Sequence, residues 1–210
     1  NGVPSVLVVG DHAVVARSEN LLNLDLNGDG DRLDQVPAVL AIPTRKLAPL
    51  HHAAQSLYDV VTTPSTVAFL AWEASNGRDL NNDGDQLDKV VVVHDIAAKR
   101  TTNTKHQGTL VFDNDHAWDH RTPGPLLAFS TNESQHGADI NGDGDMQDPV
   151  PFVVEPGSHA LHRAISGTPS LPQGSSLPLV AFESGQQDLN GDGDMADRVF
   201  AIWREPGGDY

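Results

Sequence analysis

Cysteine is absent from the 210-residue chain, so disulfides, thiol nucleophiles and thiolate metal sites are all excluded. Basic residues are scarce. Only 13 Lys and Arg stand against 29 Asp and Glu, and without a basic patch the chain has no means of releasing counterions from phosphate, which argues against a nucleic-acid partner. No apolar run approaches 18 residues, so no helical membrane span is expected. Helical periodicity is missing nearly everywhere. Catalytic signatures are lacking too: no Ser sits in G-x-S-x-G, no phosphate-cradling P-loop occurs, and no Glu follows a His as in H-E-x-x-H.

In their place stands one ten-residue phrase, D-[LI]-N-[GN]-D-G-D-x-x-D, stated four times from Asp25, Asp79, Asp139 and Asp188. Oxygen donors at alternate positions, followed by a Gly where the backbone turns sharply, suit a hard cation of Ca²⁺ size that takes roughly six to eight oxygens in a flexible shell. The expected donors are Asp25, Asn27, Asp29, Asp31 and Asp34 in the first loop, and Asp79, Asn81, Asp83, Asp85 and Asp88 in the second. The third loop offers Asp139, Asn141, Asp143, Asp145 and Asp148, and the fourth Asp188, Asn190, Asp192, Asp194 and Asp197. Mg²⁺ is less suited because it demands a tight octahedron and keeps its waters. Soft or nitrogen-preferring metals find neither thiolate nor imidazole in these loops. Up to four Ca²⁺ ions, one per repeat, are therefore expected.

The first donors and the Gly sit as in an EF-hand, but position twelve, where that motif has a bidentate Glu, holds Val36, Val90, Val150 and Val199. Those Val residues open apolar runs, so each loop is expected to hand over to a strand. The four decamers hold 16 of the 29 acidic residues, which leaves 13 to face the 13 basic ones. The net charge of -16 is thus concentrated in the loops, and four bound dications would halve it to -8. Without them the carboxylates repel one another and the fold loosens.

The loops recur at spacings of 54, 60 and 49 residues, a period that points to a propeller or a solenoid. A hairpin is expected where Ser5–Val9 and Ala13–Arg17 flank Gly10-Asp11-His12. Strands Thr66–Trp72, Pro125–Ser130 and Leu177–Phe182 precede the later loops, and Glu19, Glu73, Glu133 and Glu183 stand between strand and loop, either as distant ligands or as caps for loop backbone. Val36–Ile42, Val90–His94, Val150–Val154 and Val199–Trp203 follow the loops as third strands, and a weaker fourth strand fits Pro43–His52 or Ala97–Gln107. The chain is read as a single all-β repeat domain with four antiparallel sheets at about residues 1–50, 51–107, 108–166 and 167–210. A single sheet cannot bury both faces, so the units must stack. A small, four-bladed β-propeller is the expected architecture, and a linear β-solenoid-like array the alternative. The fourth unit ends just after its third strand, so either the amino-terminal strand completes it or an edge is left to pair with another copy.

An apolar strand, a Glu, a short linker, DLNGDGDxxD and a Val-rich strand together resemble the repeat of bacterial secreted β-propeller-like proteins of the TolB/WD40-like type. The loop is similar to the D-x-N-x-D-G-x-x-D calcium loops in the propeller of integrin α chains and, more loosely, to the dockerin loop. The closing Asp falls one place later than in the integrin loop, and Asn82 replaces a Gly. The resemblance implies calcium-stabilised folding and a binding or scaffold role, and no reaction.

A structural device is needed in every repeat, whereas a catalytic residue is needed once. The dense unrepeated cluster runs from Asp113 to His120, with His116 and His120 four residues apart, and reads as a polar surface turn. Trp72, Trp118 and Trp203 are read as burial between sheets before sugar-stacking. The expected function is that of a secreted, calcium-binding β-repeat protein with a structural, adhesive or binding role, either as a monomeric ring that binds a glycan or protein on one face or as a protomer that self-assembles through an incomplete last sheet. It is read as no enzyme; an extracellular hydrolase with an active site in the propeller funnel is the alternative. Its partners would be a protein, a glycan or copies of itself. Loops of moderate calcium affinity fill where calcium is near millimolar, which favours an extracellular or cell-surface setting, or the periplasm. An opening at Asn1 suits a processed secreted chain or a trimmed one.

Overall fold

Short Val-rich runs punctuated by Gly, Asp and Pro have strand length and strand chemistry, and they pair with their sequence neighbours, as consecutive strands usually do. A computed structural model describes residues 6–55, 57, 60–110, 127–142, 144–147, 149–154, 161–163, 181–182, 191–193 and 198–199. The first sheet is β1 (Val6–Val9), β2 (His12–Ser18), β3 (Gln35–Ala41) and β4 (Lys46–Pro49), in that order and antiparallel throughout. The second is β5 (Val60–Thr62), β6 (Thr66–Trp72), β7 (Lys89–Asp95) and β8 (Arg100–Gln107), again in chain order. The third is β9 (Thr109–Leu110), β10 (Leu127–Asn132), β11 (Pro149–Val154) and β12 (Leu161–Arg163). β13 (Ala181–Phe182) pairs with β14 (Arg198–Val199). The described protein is all-β apart from single helical turns, α1 (Glu19–Leu22), α2 (Glu133–His136) and a 3-10 turn at Ala74–Asn76.

The expected hairpin forms with Val9 opposite His12. That register makes β1 the partner of β2 in the first sheet. The weaker fourth strands are β4 and β8, as expected from their segments.

The sheets stack with a fixed sense. Leu7, Val14 and Val39, which share one face of the first sheet, pack with Val60, Val67, Phe69, Ala71, Val90 and Val92 of the second. The opposite face of the second sheet, with Val61, Ala68, Leu70, Val91 and Val93, packs with Leu127, Phe129, Val150 and Phe152 of the third. Burial on both faces explains why β6 and β7 read as continuous apolar runs and not as an alternation. Phe129 and Phe152, cross-strand partners, stack with centroids 5.3 Å apart within the second cluster.

Candidate metal centre

The ladder itself positions each loop. β2 and β3 run in register to Ser18 opposite Gln35, and the Glu19 amide then donates to the Asp34 carbonyl at 3.0 Å, closing the base of the excursion that contains the decamer. The second repeat repeats this with Trp72 opposite Lys89 and the Glu73 amide on the Asp88 carbonyl at 3.0 Å. Between the clamped ends the chain cannot wander.

Glu19, Glu73 and Glu133 are fully buried, which for a carboxylate demands compensating donors. The loop backbone supplies them. Glu19 Oε1 accepts from the amides of Leu26 at 2.5 Å and Asn27 at 3.2 Å, and Oε2 from Asp34 at 3.2 Å. Glu73 accepts from Leu80, Asn81 and Asp88 at 2.6, 3.2 and 3.1 Å. Glu133 accepts from Ile140 and Asn141 at 2.7 and 2.9 Å. Of the two roles open to this Glu from sequence, capping of loop backbone is present in every described repeat.

The first Asp of each loop also holds backbone. Asp25 accepts from the amides of Gly28 at 2.6 Å and Gly30 at 3.1 Å, Asp79 from Asn82 at 2.5 Å and Gly84 at 3.0 Å, and Asp139 from Gly142 at 2.6 Å and Gly144 at 3.0 Å. Both turns of the loop are left-handed. At the fourth position φ is +81° at Gly28, +68° at Asn82 and +82° at Gly142; at the sixth it is +101°, +105° and +102° at Gly30, Gly84 and Gly144. Asn is the residue besides Gly that best tolerates the former angle, and Gly alone suits the latter, which accounts for the pattern [GN]-D-G. Gly191 and Gly193 of the fourth loop take φ of +77° and +98°, matching the others.

This backbone brings carboxylates together. One oxygen each from Glu19, Asp31 and Asp34 lie within 4.8 Å of one another, as do oxygens from Glu73, Asp85 and Asp88. These two acidic triads can hold a metal ion. Each joins one buried, one half-buried and one exposed residue, so an ion there would be anchored from below and reachable from solvent. An all-oxygen donor set fits a hard cation. Asn27 and Asn81, expected as oxygen donors, turn their amide nitrogens inward. Asn27 Nδ2 donates to Asp29 and Asp34, both at 3.3 Å, and Asn81 Nδ2 to Asp83 at 2.9 Å and Asp88 at 3.0 Å. Asp29 and Asp83 each also accept the amide two residues on, from Asp31 at 2.9 Å and Asp85 at 3.1 Å. Asp31, Asp85 and Asp145 do the same for Leu33, Leu87 and Gln147.

Crowding perturbs the closing residues. Burial, with a hydrogen bond to Asp29 and the charges of Asp29 and Asp31, raises Asp34 to about 6 against a lowering contact from Ser75. Asp88 rises to about 7 from burial, its hydrogen bond to Asp83 and the charges of Asp83 and Glu73. The same hydrogen bond to Asp88 lowers Asp83. Their contact thus shifts Asp83 and Asp88 in opposite directions, as befits two close carboxyl groups that a proton or a dication can bridge.

Asp139, Asn141 and Asp145 lie in the third loop as the first two loops anticipate, and Asp192 lies between Gly191 and Gly193. Asp143, Asp148, Asp188, Asn190, Asp194 and Asp197 lie outside the described residues, as do Glu183, Trp118, Trp203 and the cluster from Asp113 to His120. Sequence reasoning passed over Ser75 and Asn76, which touch the first loop or its neighbourhood from the next repeat; neither recurs at its equivalent place, so no pattern marked them. Among the described residues no helix is long and apolar enough to cross a membrane. No family model matches the chain, and no curated protein matches it.

Proposed function

We propose that this is a noncatalytic, extracellular calcium-binding repeat protein in which bound ions neutralise one loop per repeat and the sheets serve a structural, adhesive or ligand-binding role. The observation that carries this reading is the recurrence, in consecutive repeats and with the same partners, of a buried Glu joined to two loop carboxylates within 4.8 Å. A device needed in every repeat serves the fold. Glu19, Asp31 and Asp34, and in the second repeat Glu73, Asp85 and Asp88, would hold the ion, and Asp29 and Asp83 stand beside them. The ion would supply positive charge where the chain gathers four Asp in ten residues.

Calorimetry in two buffers of different ionisation enthalpy tests this. Calcium binding is expected at up to four sites, with Asp31→Asn plus Asp34→Asn removing one. Because Asp34 and Asp88 sit at about 6 and about 7, they are partly protonated near pH 6, and calcium must displace those protons. Affinity should therefore rise with pH through that window and level off by about pH 8, with proton release vanishing there. Undiminished stoichiometry in the double variant, or equal affinity at pH 5.5 and 8, would count against the assignment.

The stacking sense, with one face of each sheet on the opposite face of the next, supports a radial arrangement of the four units as a small propeller. A heterologous stack closes into a ring when its rotation permits and otherwise runs on linearly. Small-angle scattering in calcium is expected to give a radius of gyration of about 17 Å, the value for a compact chain of this length. A clearly larger, rod-like profile would favour the linear array.

A further inference from the structure

We propose that the first calcium loop is completed by the second repeat: the turn Ser75–Gly77 seats Asn27, Asp29 and Asp34, so that cation binding there and stacking of the first two sheets are one coupled event. This rests on the calcium reading above and adds that the site is not contained within its own repeat.

Three contacts make the seat. Asn27 Nδ2 donates to the Ser75 carbonyl at 2.6 Å, which fixes the side chain that bridges Asp29 and Asp34. The Ser75 side chain stands beside the Asp34 carboxylate and favours its charged form. Gly77 lies so close that a Cβ built on it would stand 3.2 Å from Asp29 Cβ and 3.8 Å from the Asp29 carbonyl oxygen. Loop positions three, five and ten are thus all held from outside their repeat.

The turn is itself fixed to the segment at Ala53 and Ala54, which follows β4 and leads into the second sheet. Asn76, almost fully buried, accepts from the Ala53 amide at 2.8 Å and donates to the carbonyls of Trp72 at 2.7 Å and Ala53 at 3.1 Å. The next residue, Ala54, donates its amide to the Gln35 carbonyl at 2.9 Å, one residue beyond Asp34. A circuit of hydrogen bonds therefore runs from the loop through Gln35, Ala54, Ala53, Asn76 and Ser75 back to the loop. Displacing the second repeat's turn opens it, and reshaping the loop strains it. Coupling of this kind is reciprocal: whatever factor the docked turn adds to calcium affinity, calcium adds to docking.

The third repeat supplies the control. Counting from Glu73 and Glu133, the equivalents of Asn76 and Gly77 are His136 and Gly137. Gly137 is left-handed like Gly77, with φ of +72° against +58°, yet a Cβ there meets nothing within 4 Å. Alanine at either position carries similar backbone strain, and only Gly77→Ala presses on a loop.

The test is a calcium titration of the whole chain followed by the backbone amide resonances of Gly30 and Gly84, which report the first and second loops separately. Gly77→Ala is expected to shift the Gly30 midpoint to about tenfold higher calcium, within the range usual for coupled sites, while Gly84 keeps its midpoint. Gly137→Ala should leave both midpoints in place. Ser75→Ala, which removes the hydroxyl without backbone strain, should move Gly30 in the same direction by a smaller factor and keeps the question open to test if Gly77→Ala folds poorly. An unmoved Gly30 midpoint in Ser75→Ala and Gly77→Ala overturns the coupling and leaves the calcium reading intact. No calcium-dependent shift in the unsubstituted chain overturns the calcium reading and this inference with it.

Discussion

Exhaustive chelation is expected to lower the melting temperature by about 20 °C. A site with a dissociation constant near ~10⁻⁴ M in about 2 mM calcium adds roughly 1.8 kcal/mol to the folded state, since the ion binds that state alone. Four such sites amount to about 7 kcal/mol, comparable to the whole stability of an ordinary domain. For a chain of this length each kcal/mol moves the midpoint by about 2–4 °C. The cause is local: each loop carries four Asp, and in two loops a buried Glu stands within reach of a pair of them, so removing the ion restores repulsion at every repeat together. Scanning calorimetry with chelator, with calcium restored, and with chelator in high salt separates the contributions. High salt should recover only part of the loss, because screening weakens exposed repulsions and acts little on a buried carboxylate. A melt that is the same with and without calcium would remove the main support for the proposed function.

The second large effect is expected at Glu73. Its carboxylate is buried and takes the amides of Leu80, Asn81 and Asp88, so Glu73→Ala leaves three donors without their acceptor in a place where water has little access. Each orphaned donor costs roughly 1–3 kcal/mol, and the total for the three, on the order of 3–9 kcal/mol, is comparable to the stability of the fold. The loop should lose its shape first. Hydrogen exchange at those three amides is expected to accelerate by orders of magnitude, and the second loop to stop binding calcium. Glu73→Gln keeps an acceptor oxygen and the volume, and should fold with a smaller loss of stability. The pair distinguishes a cap from a mere ligand: a residue that only held the ion would leave the three amides protected in chelator whatever stood at position 73. Unchanged exchange in metal-free Glu73→Ala would sink the capping role.

Much of the fold was legible in the sequence because its determinants are local. Val-rich runs about Gly10-Asp11-His12 announce the hairpin, whose turn shortens to Gly10-Asp11 because His12 joins the strand opposite Val9; the expected strand Thr66–Trp72 forms over those same residues, and the [GN]-D-G step of the loop follows from backbone angles that a Cβ resists. The recurring Asp and Asn of the decamer likewise announced loops rich in oxygen donors. Tertiary structure decided what depends on groups meeting through space. Glu19 and Glu73, separated from their loops by a linker, became the buried floor of an acidic triad that can hold a metal ion only when strand pairing folded the loop back over them. Pairing likewise gave β1 to the first sheet, and stacking set Ser75 and Gly77 against a loop some fifty residues earlier, contacts that no repeat pattern encodes. A short-range motif is written in adjacent residues, whereas a carboxylate's role is fixed by which donors burial leaves it, and burial is settled by the assembled sheets.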